Sequence, residues 1–381
     1  MGKHFDTKSV HLSSIQDKKI NSKSTPIYQT SAFKFKNLEE LESFYQGKND
    51  YLYTRVGNPN TDELGTAVAQ LEGAPSGVAA ASGTAAILAG ILSVAKQGDH
   101  IIAATDIYGG TYQLLANELP DLGIEVSFVD FAEGEEIAGH IKGNTKMIYS
   151  ESVSNPLLRK EDLQALSVLA NDAQLVLMID NTFATPYLSR PYEYGADLVV
   201  HSATKYIGGH SDITAGVLVG HEELIERAKQ KVVNLGSSLS PFEAWLTCRG
   251  LKTLSVRMER HVANAQRLAD ELRKHDAVEK VYYPEDVSPL GNGAIVTIDI
   301  TGTCDVDVFF QSLGWIKIVP TLAGVETSVS YPLATSHRAL PEETRERLGI
   351  TEGLIRISVG IEAADDIIAG FNEALKQSKR R

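Results

Sequence analysis

Short apolar runs recur through the middle of the chain, at residues 100–103, 124–129, 147–150, 175–179 and 198–200. Each has the length and the Ile, Val and Leu content of a buried strand. More polar stretches with helical spacing, such as residues 161–170, lie between them. Apolar strands alternating with helices predict an α/β domain built on a parallel sheet covered on both faces. After Gly236 the pattern changes. Pro241 suits the first turn of a helix. Leu254, Met258, Val262, Ala265, Leu268 and Leu272 then follow at spacings of three and four, which predicts a long helix joining two domains. Residues 293–300 read as a strand after a Gly-Asn-Gly turn, and residues 315–319 as another. In residues 354–359, Ile355, Ile357 and Val359 share one face and Arg356 and Ser358 the other. Residues 1–57 are polar and irregular and read as an arm. The division expected is therefore an arm (1–57), a large domain (58–247) and a smaller α+β C-terminal domain (248–381). There are no internal repeats or low-complexity tracts.

Composition narrows the class. The chain has 381 residues, 43% hydrophobic and 22% charged, as a globular protein of more than one domain would. A net charge of −13 argues against nucleic acid or anionic membrane as partner, since both repel an acidic surface. Lys379-Arg380-Arg381 reads as a solvated tail. The two cysteines, Cys248 and Cys304, supply neither a disulfide framework nor metal spacing, so a reducing cytoplasm is expected. The first residues lack the apolar core of a signal peptide. Residues 73–95 carry no charge and pass a length test for a membrane span. Pro75 and the polar cluster Ser82-Gly83-Thr84 argue instead for a buried helix starting at that cluster.

The chemistry sits where the strands end. Ligands of open α/β sheets bind beyond the carboxyl ends of the strands. Here those ends carry Tyr108, Glu151, Asp180, and Ser202 with Lys205. Taken alone, Lys205 is a solvent-facing lysine on a turn and Arg356 an exposed, ion-paired arginine. Taken together, the strand ends read as one shared site. A lysine amine can hold a carbonyl cofactor covalently. Pyridoxal 5′-phosphate would further need a carboxylate at its ring nitrogen, which Asp180 suits. It would need a phosphate cradle, which the helix start at Ser82-Gly83-Thr84 offers, with Ser202 and Thr204 adding hydroxyls. Tyr108 supplies an aromatic face, and Arg356 suits a bidentate clamp on a substrate carboxylate. A zinc site at His201 and His210 lacks further ligands, and no G-x-G-x-x-G follows a first strand.

The motifs Tyr53-Thr54-Arg55-Val56-Gly57-Asn58-Pro59, Ser82-Gly83, Tyr108-Gly109-Gly110-Thr111, Glu151 with Ser154-Asn155-Pro156, Asp180-Asn181-Thr182-Phe183, Ser202-Ala203-Thr204-Lys205 and Ile355-Arg356-Ile357-Ser358-Val359-Gly360-Ile361-Glu362 occur in this order. Over nearly its whole length the chain resembles the Cys/Met-metabolism (trans-sulfuration) family of pyridoxal-phosphate enzymes. The resemblance implies a fold type I architecture with a mainly parallel seven-stranded sheet. It implies Lys205 as the cofactor-linked lysine, Asp180 on the pyridine nitrogen and Tyr108 stacked on the ring. Ser82, Gly83, Thr84, Ser202 and Thr204 would hold the phosphate, and Glu151 would support the cofactor. Asn155, Arg356 and Thr327 would bind the substrate. Tyr53 and Arg55 would reach the phosphate of a neighbouring subunit, in a homo-oligomer that is a tetramer built from dimers. Lys205, helped by Tyr108, would be the base at Cα and, for a γ-leaving group, at Cβ as well.

Several positions depart from the family pattern. Thr84 stands where many relatives have Met, Thr327 where they have Ser, and Ser152-Val153 where they have Thr-Pro. Gly110 occupies the position of a cysteine typical of dedicated methionine γ-lyases. The chain passes quickly from Tyr282-Tyr283-Pro284 to Gly293, and it carries Tyr331-Pro332, as in some bacterial cystathionine γ-synthase/O-acetylhomoserine thiol-lyase proteins. These features point to γ-replacement on an O-acyl-homoserine with cysteine or sulfide. The alternatives are cystathionine γ- or β-lyase, then methionine γ-lyase, and in another class a fold type I aminotransferase.

Overall fold

A computed structural model describes residues 3–11, 22–48, 50–131, 134–338 and 342–380. Parts of the expected arm (1–2, 12–21 and 49) and the terminal Arg381 lie outside the described residues. A seven-stranded sheet forms the centre of the large domain. Its strands are β1 (Ser76–Ala80), β2 (His100–Ala104), β3 (Glu125–Val129), β4 (Thr145–Glu151), β5 (Val176–Asp180), β6 (Leu198–His201) and β7 (Gly216–Gly220). They lie in the order β1-β7-β6-β5-β4-β2-β3. Strands β3, β2, β4, β5 and β6 are parallel, and β7 runs antiparallel to both β6 and β1. Residues of β2, β6 and β7 are buried throughout, as strands covered on both faces must be.

Local chemistry explains the main helix ends. Helix Pro59–Glu72 begins with proline at its first position, behind an Asn58 side chain that accepts from the Asn60 N–H. It stops at Gly73, whose φ of 78° is a left-handed cap that a side chain would strain. The expected helix at the Ser-Gly-Thr cluster is Gly83–Val94, capped by the Ser82 side chain on the Ala85 N–H. Helix Leu254–Leu272 contributes to two cores. Leu254, Met258 and Val262 pack into the large core, while Ala265, Leu268, Ala269 and Leu272 pack into a second one.

That second core lies on a five-stranded sheet of β8 (Lys280–Tyr282), β9 (Ile295–Asp299), β10 (Lys317–Ile318), β11 (Ser328–Ser330) and β12 (Leu354–Ser358). Its order is β10-β11-β12-β9-β8, and helix Ala364–Ser378 packs against it. The strand expected at residues 315–319 shrinks to the two residues of β10, because a turn with Ile316 N–H on the Leu313 carbonyl occupies its start.

The N-terminal segment is more regular than its polarity suggested. It contains helices Phe5–Val10 and Leu38–Tyr45, the latter capped by Asn37 on the Glu40 N–H. The arm is tied to the body. Thr25 donates to Glu63 at 2.7 Å, and the Trp245 indole donates to the Thr25 carbonyl at 2.9 Å. Among the described residues, no helix is long and apolar enough to cross a membrane, and no group of His, Cys, Asp and Glu is placed to hold a metal ion. His201 turns instead to Glu72 at 2.8 Å, and the His210 ring to the Gly208 carbonyl at 2.8 Å.

Candidate active site

The carboxyl ends of β4, β5 and β6 open into a cavity of about 500 Å³ that the smaller domain closes from above. Eleven of the residues singled out from the sequence line it: Ser82, Gly83, Thr84, Tyr108, Glu151, Asn155, Asp180, Ser202, Thr204, Lys205 and Arg356. Each reaches it through the element that carries it. Glu151 and Asp180 are the last residues of adjacent parallel strands and pair directly in register. Ser202 and Lys205 lie on the turn after β6, and Tyr108 precedes the short helix Gly109–Gln113 beyond β2.

One end of the cavity suits a phosphate. Helix Gly83–Val94 opens there, and its first N–H groups carry the positive end of the helix dipole. Ser202 meets the same end, while Thr204 lines the cavity with its hydroxyl bonded to the Ala215 backbone. The approach is close enough that a Cβ on Gly83 would lie 2.7 Å from the Ser202 Cβ, so glycine is what lets the helix start meet the β6 turn.

In the middle lie two buried carboxyls. Burial raises Glu151 well above the usual carboxylate range, and the Asp180 charge raises it further. Burial also raises Asp180, but hydrogen bonds from Thr182 and the nearby His201 oppose the shift. Glu151 also accepts the Tyr108 N–H at 2.7 Å, which with the Arg159 charge favours its anion, but burial and the Asp180 charge outweigh both, so it holds a proton more readily than Asp180. A buried aspartate needs a cation to stay charged, and a protonated pyridine nitrogen would be one. Together with a lysine amine and a phosphate-sized cradle, the residues fit pyridoxal phosphate.

At the other end Arg356 is 3% exposed. Its Nη1 donates to the Asn155 Oδ1 at 3.0 Å, leaving the rest of the guanidinium fork for a carboxylate. Arg356 is thus buried and, among the described residues, forms no ion pair. An Arg356→Lys variant, with one point charge in place of the fork, is expected to lose about 10²-fold in kcat/KM. That corresponds to roughly 1.5–3 kcal/mol for one hydrogen bond to a charged group. Steady-state kinetics should show the loss mainly in KM, and an unchanged KM would count against the clamp.

The Lys205 amine donates to the Thr321 Oγ1 at 2.9 Å. Burial, with the charge of Arg356 added, brings its pKa down from 10.5 to about 8. Because the folded-state value lies below the unfolded one, the protonated amine costs stability at pH values below about 8. That cost is relieved as pH rises from about 8 to about 10.5. Coenzyme-free protein is expected to gain stability across this window relative to a Lys205→Met variant. Urea midpoints of the two proteins at about pH 7 and about pH 10 test this, and parallel behaviour would contradict it.

Three sequence candidates lie outside the cavity. Thr327 donates to Glu362 at 2.8 Å and accepts from the Gly360 N–H at 2.9 Å, bracing the chain just past β12. Tyr53 is half-exposed, and Arg55 donates to the Val233 carbonyl at 3.1 Å, beyond the lining residues. Conversely, Thr182 and Thr321 are hydrogen-bonding residues of the lining to which no role had been assigned. The Thr182 hydroxyl accepts the Ser202 N–H at 2.8 Å while its own N–H donates to Asp180 at 2.9 Å, joining the carboxylate to the phosphate end. Thr182 could have been noticed beside Asp180. Thr321 lies 116 positions from the lysine it holds, and no local pattern marks it.

A family model described as Cys/Met metabolism PLP-dependent enzyme matches residues 6–376. The chain is 40% identical over 382 residues to a cystathionine β-lyase of Lactococcus lactis, covering 97% of this chain and 98% of that protein. Its fold superposes on the cystathionine γ-lyase of Lactobacillus plantarum, solved with L-serine, at a TM-score of 0.93 and 35% identity, over 99% of this chain and 100% of that one. The cystathionine γ-synthase of Xanthomonas oryzae, solved with aminoacrylate and cysteine, gives a TM-score of 0.92 and 33% identity, over 99% of each chain. The chain belongs to the Cys/Met-metabolism family of pyridoxal-phosphate-dependent enzymes and has their fold type I architecture.

Proposed function

We propose that the enzyme catalyses γ-replacement on an O-acyl-homoserine, with cysteine or sulfide as the incoming nucleophile. The observation that carries this reading is the placing of Lys205, Arg356 and Asn155 in one cavity, a carboxylate clamp within reach of a single neutralisable amine. Gly110 supports it against methionine γ-lyase. A Cβ there would lie 2.5 Å from the Tyr108 ring, so the side chain of a cysteine has no room unless the tyrosine moves.

Arg356 and Asn155 hold the substrate carboxylate and so orient the Cα–H bond toward Lys205. Bound pyridoxal phosphate supplies the aldehyde that takes the substrate amine and the ring that accepts the electrons released at Cα. Lys205 Nζ takes the proton from Cα, gives it up before taking one from Cβ, and returns protons to Cβ and Cα once sulfur has added, with Thr321 Oγ1 keeping the amine in place between transfers. Over the whole reaction the Cγ–O bond breaks and the carboxylic acid leaves. The sulfur of the thiol bonds to Cγ, and the thiol proton is released with the acid.

Tyr53 and Arg55 complete the phosphate site of a second copy, in a tetramer built from dimers. Their exposed position away from their own cavity supports this reading.

A second reading, a carbon–sulfur lyase, is favoured by the relatives named cystathionine β- and γ-lyase. Incubation with O-acetyl- or O-succinyl-homoserine, with and without cysteine or sulfide, separates the two. A thioether from ester and cysteine, or a thiol from ester and sulfide, is the expected product. Pyruvate or 2-oxobutyrate from cystathionine alone, with no replacement product, would overturn γ-replacement in favour of the lyase.

A further inference from the structure

We infer that the γ-end of the cavity is built for an uncharged substituent: an acetyl-type ester rather than a dicarboxylic half-ester, and sulfide or a small thiol rather than a zwitterionic amino-acid thiol. The inference rests on the proposed γ-replacement for the identity of the reaction, but not for the charge preference itself.

Four lining residues are charged, Glu151, Asp180, Lys205 and Arg356. All four are engaged elsewhere. Glu151 accepts the Tyr108 N–H and Asp180 the Thr182 N–H, Arg356 is bonded to Asn155 with the rest of its fork taken by the substrate α-carboxylate, and Lys205 is bonded to Thr321. Thr321 also locates the γ-end. Its hydroxyl touches the amine that must reach Cα and Cβ, so its chain neighbours wall the space just beyond. Those neighbours are Pro320 and Leu322. The second wall is Ala334, Thr335 and Ser336, pressed onto the turn that carries Tyr108. A Cβ on Gly109 would lie 1.6 Å from the Ser336 carbonyl oxygen, so these residues close over the tyrosine side of the cavity.

Apart from Arg356, everything the smaller domain contributes to the cavity is therefore uncharged. The nearest ionisable groups beyond these walls are turned elsewhere. His337 is buried against the Asn155 carbonyl at 3.1 Å, Arg338 stands exposed, and Glu326 pairs with Lys317 at 2.5 Å. Among the described residues lining the cavity, a second carboxylate or ammonium on the substrate has no unengaged counter-charge. A charge moved out of water without a partner is strongly disfavoured.

The test uses the coenzyme-loaded enzyme, so that any contribution from a second copy is included. With sulfide as nucleophile, O-acetyl-homoserine is expected to exceed O-succinyl-homoserine in kcat/KM by about 10²-fold, the order that one unpaired buried charge imposes. Equal values, or a preference for the succinyl ester, would overturn the inference. A binding readout needs no turnover. Norleucine should bind at least about tenfold more tightly than 2-aminopimelate, which adds a terminal carboxylate, as measured by calorimetry. Ala334→Arg, at an exposed alanine of the wall, should narrow or reverse that ratio by bringing a long flexible cation to the γ-end. If neither ester reacts but methionine, whose γ-substituent is uncharged, is cleaved, the γ-replacement reading alone fails; cleavage of cystathionine, which carries a zwitterion beyond its γ-sulfur, would count against both. The norleucine comparison would still decide the charge preference. Equal affinities, with no response to Ala334→Arg, would reject it.

Discussion

Lys205→Ala is expected to abolish turnover, with a loss of about 10³-fold or more, and to leave no coenzyme covalently attached. The expectation follows from position as much as from residue type. Lys205 stands on the turn after β6, where the strand delivers it to the cavity floor. Burial and the Arg356 charge lower its amine to about 8, so a useful share of it is neutral near physiological pH. A neutral amine can both take a carbonyl and accept a proton, whereas an ordinary exposed lysine is almost wholly protonated there. Absorbance of the reconstituted protein and reductive trapping, followed by mass measurement, report attachment separately from activity. Coenzyme still covalently held, or turnover within about tenfold of the parent, would remove Lys205 from the mechanism.

The second large effect is an asymmetry between two neighbouring carboxyls. Asp180→Asn is expected to cost about 10²–10⁴-fold in kcat/KM, the scale of roughly 3–5 kcal/mol that follows from removing one partner of a buried charge pair. Glu151→Gln should cost only a few-fold by comparison. Both side chains end adjacent strands and both are buried, so symmetry alone would predict equal effects. Their surroundings differ. Asp180 accepts the Thr182 N–H and feels His201, both of which favour its anion, while burial and the Asp180 charge favour the neutral form of Glu151. Glutamine reproduces a neutral carboxyl, whereas asparagine cannot supply the charge that keeps a pyridine nitrogen protonated. Parallel measurement of kcat/KM and coenzyme affinity in both variants checks this. Equal damage from the two substitutions would contradict the assignment of the proton to Glu151.

Much of this site was readable because the strand pattern carries it. Apolar runs mark β2, β4, β5 and β6; the last residues of β4 and β5, Glu151 and Asp180, and the segments just after β2 and β6, with Tyr108, Ser202 and Lys205, then fall at the cavity. In the large sheet the strands that escaped notice, β1 and β7, are bounded by small residues: Ser76 and Gly77 in one, Gly216 and Gly220 in the other. Those residues are there for close approach, since a Cβ on Gly77 would lie 2.3 Å from the Gly65 carbonyl oxygen and one on Gly216 would lie 2.0 Å from that of Ser82. Small residues selected for contact erase the hydrophobic signal by which strands are recognised. Thr327 was drawn toward the substrate because it falls in a motif-like run, yet its hydroxyl braces the segment after β12 through Glu362 and Gly360.

The sequence by itself determined the alternation of strands and helices, the helix start at Ser82-Gly83-Thr84, and the presence of a lysine and an aspartate at strand ends. Each of these follows from spacing and side-chain chemistry within a few residues. Tertiary structure alone decided that Arg356 is buried on Asn155 across 201 positions and that Thr321 holds Lys205 across 116. It also decided that uncharged residues wall the γ-end. Periodicity tells a strand which side chains share a face, but what covers that face comes from packing between distant segments, and packing sets burial, charge state and hydrogen-bond partners.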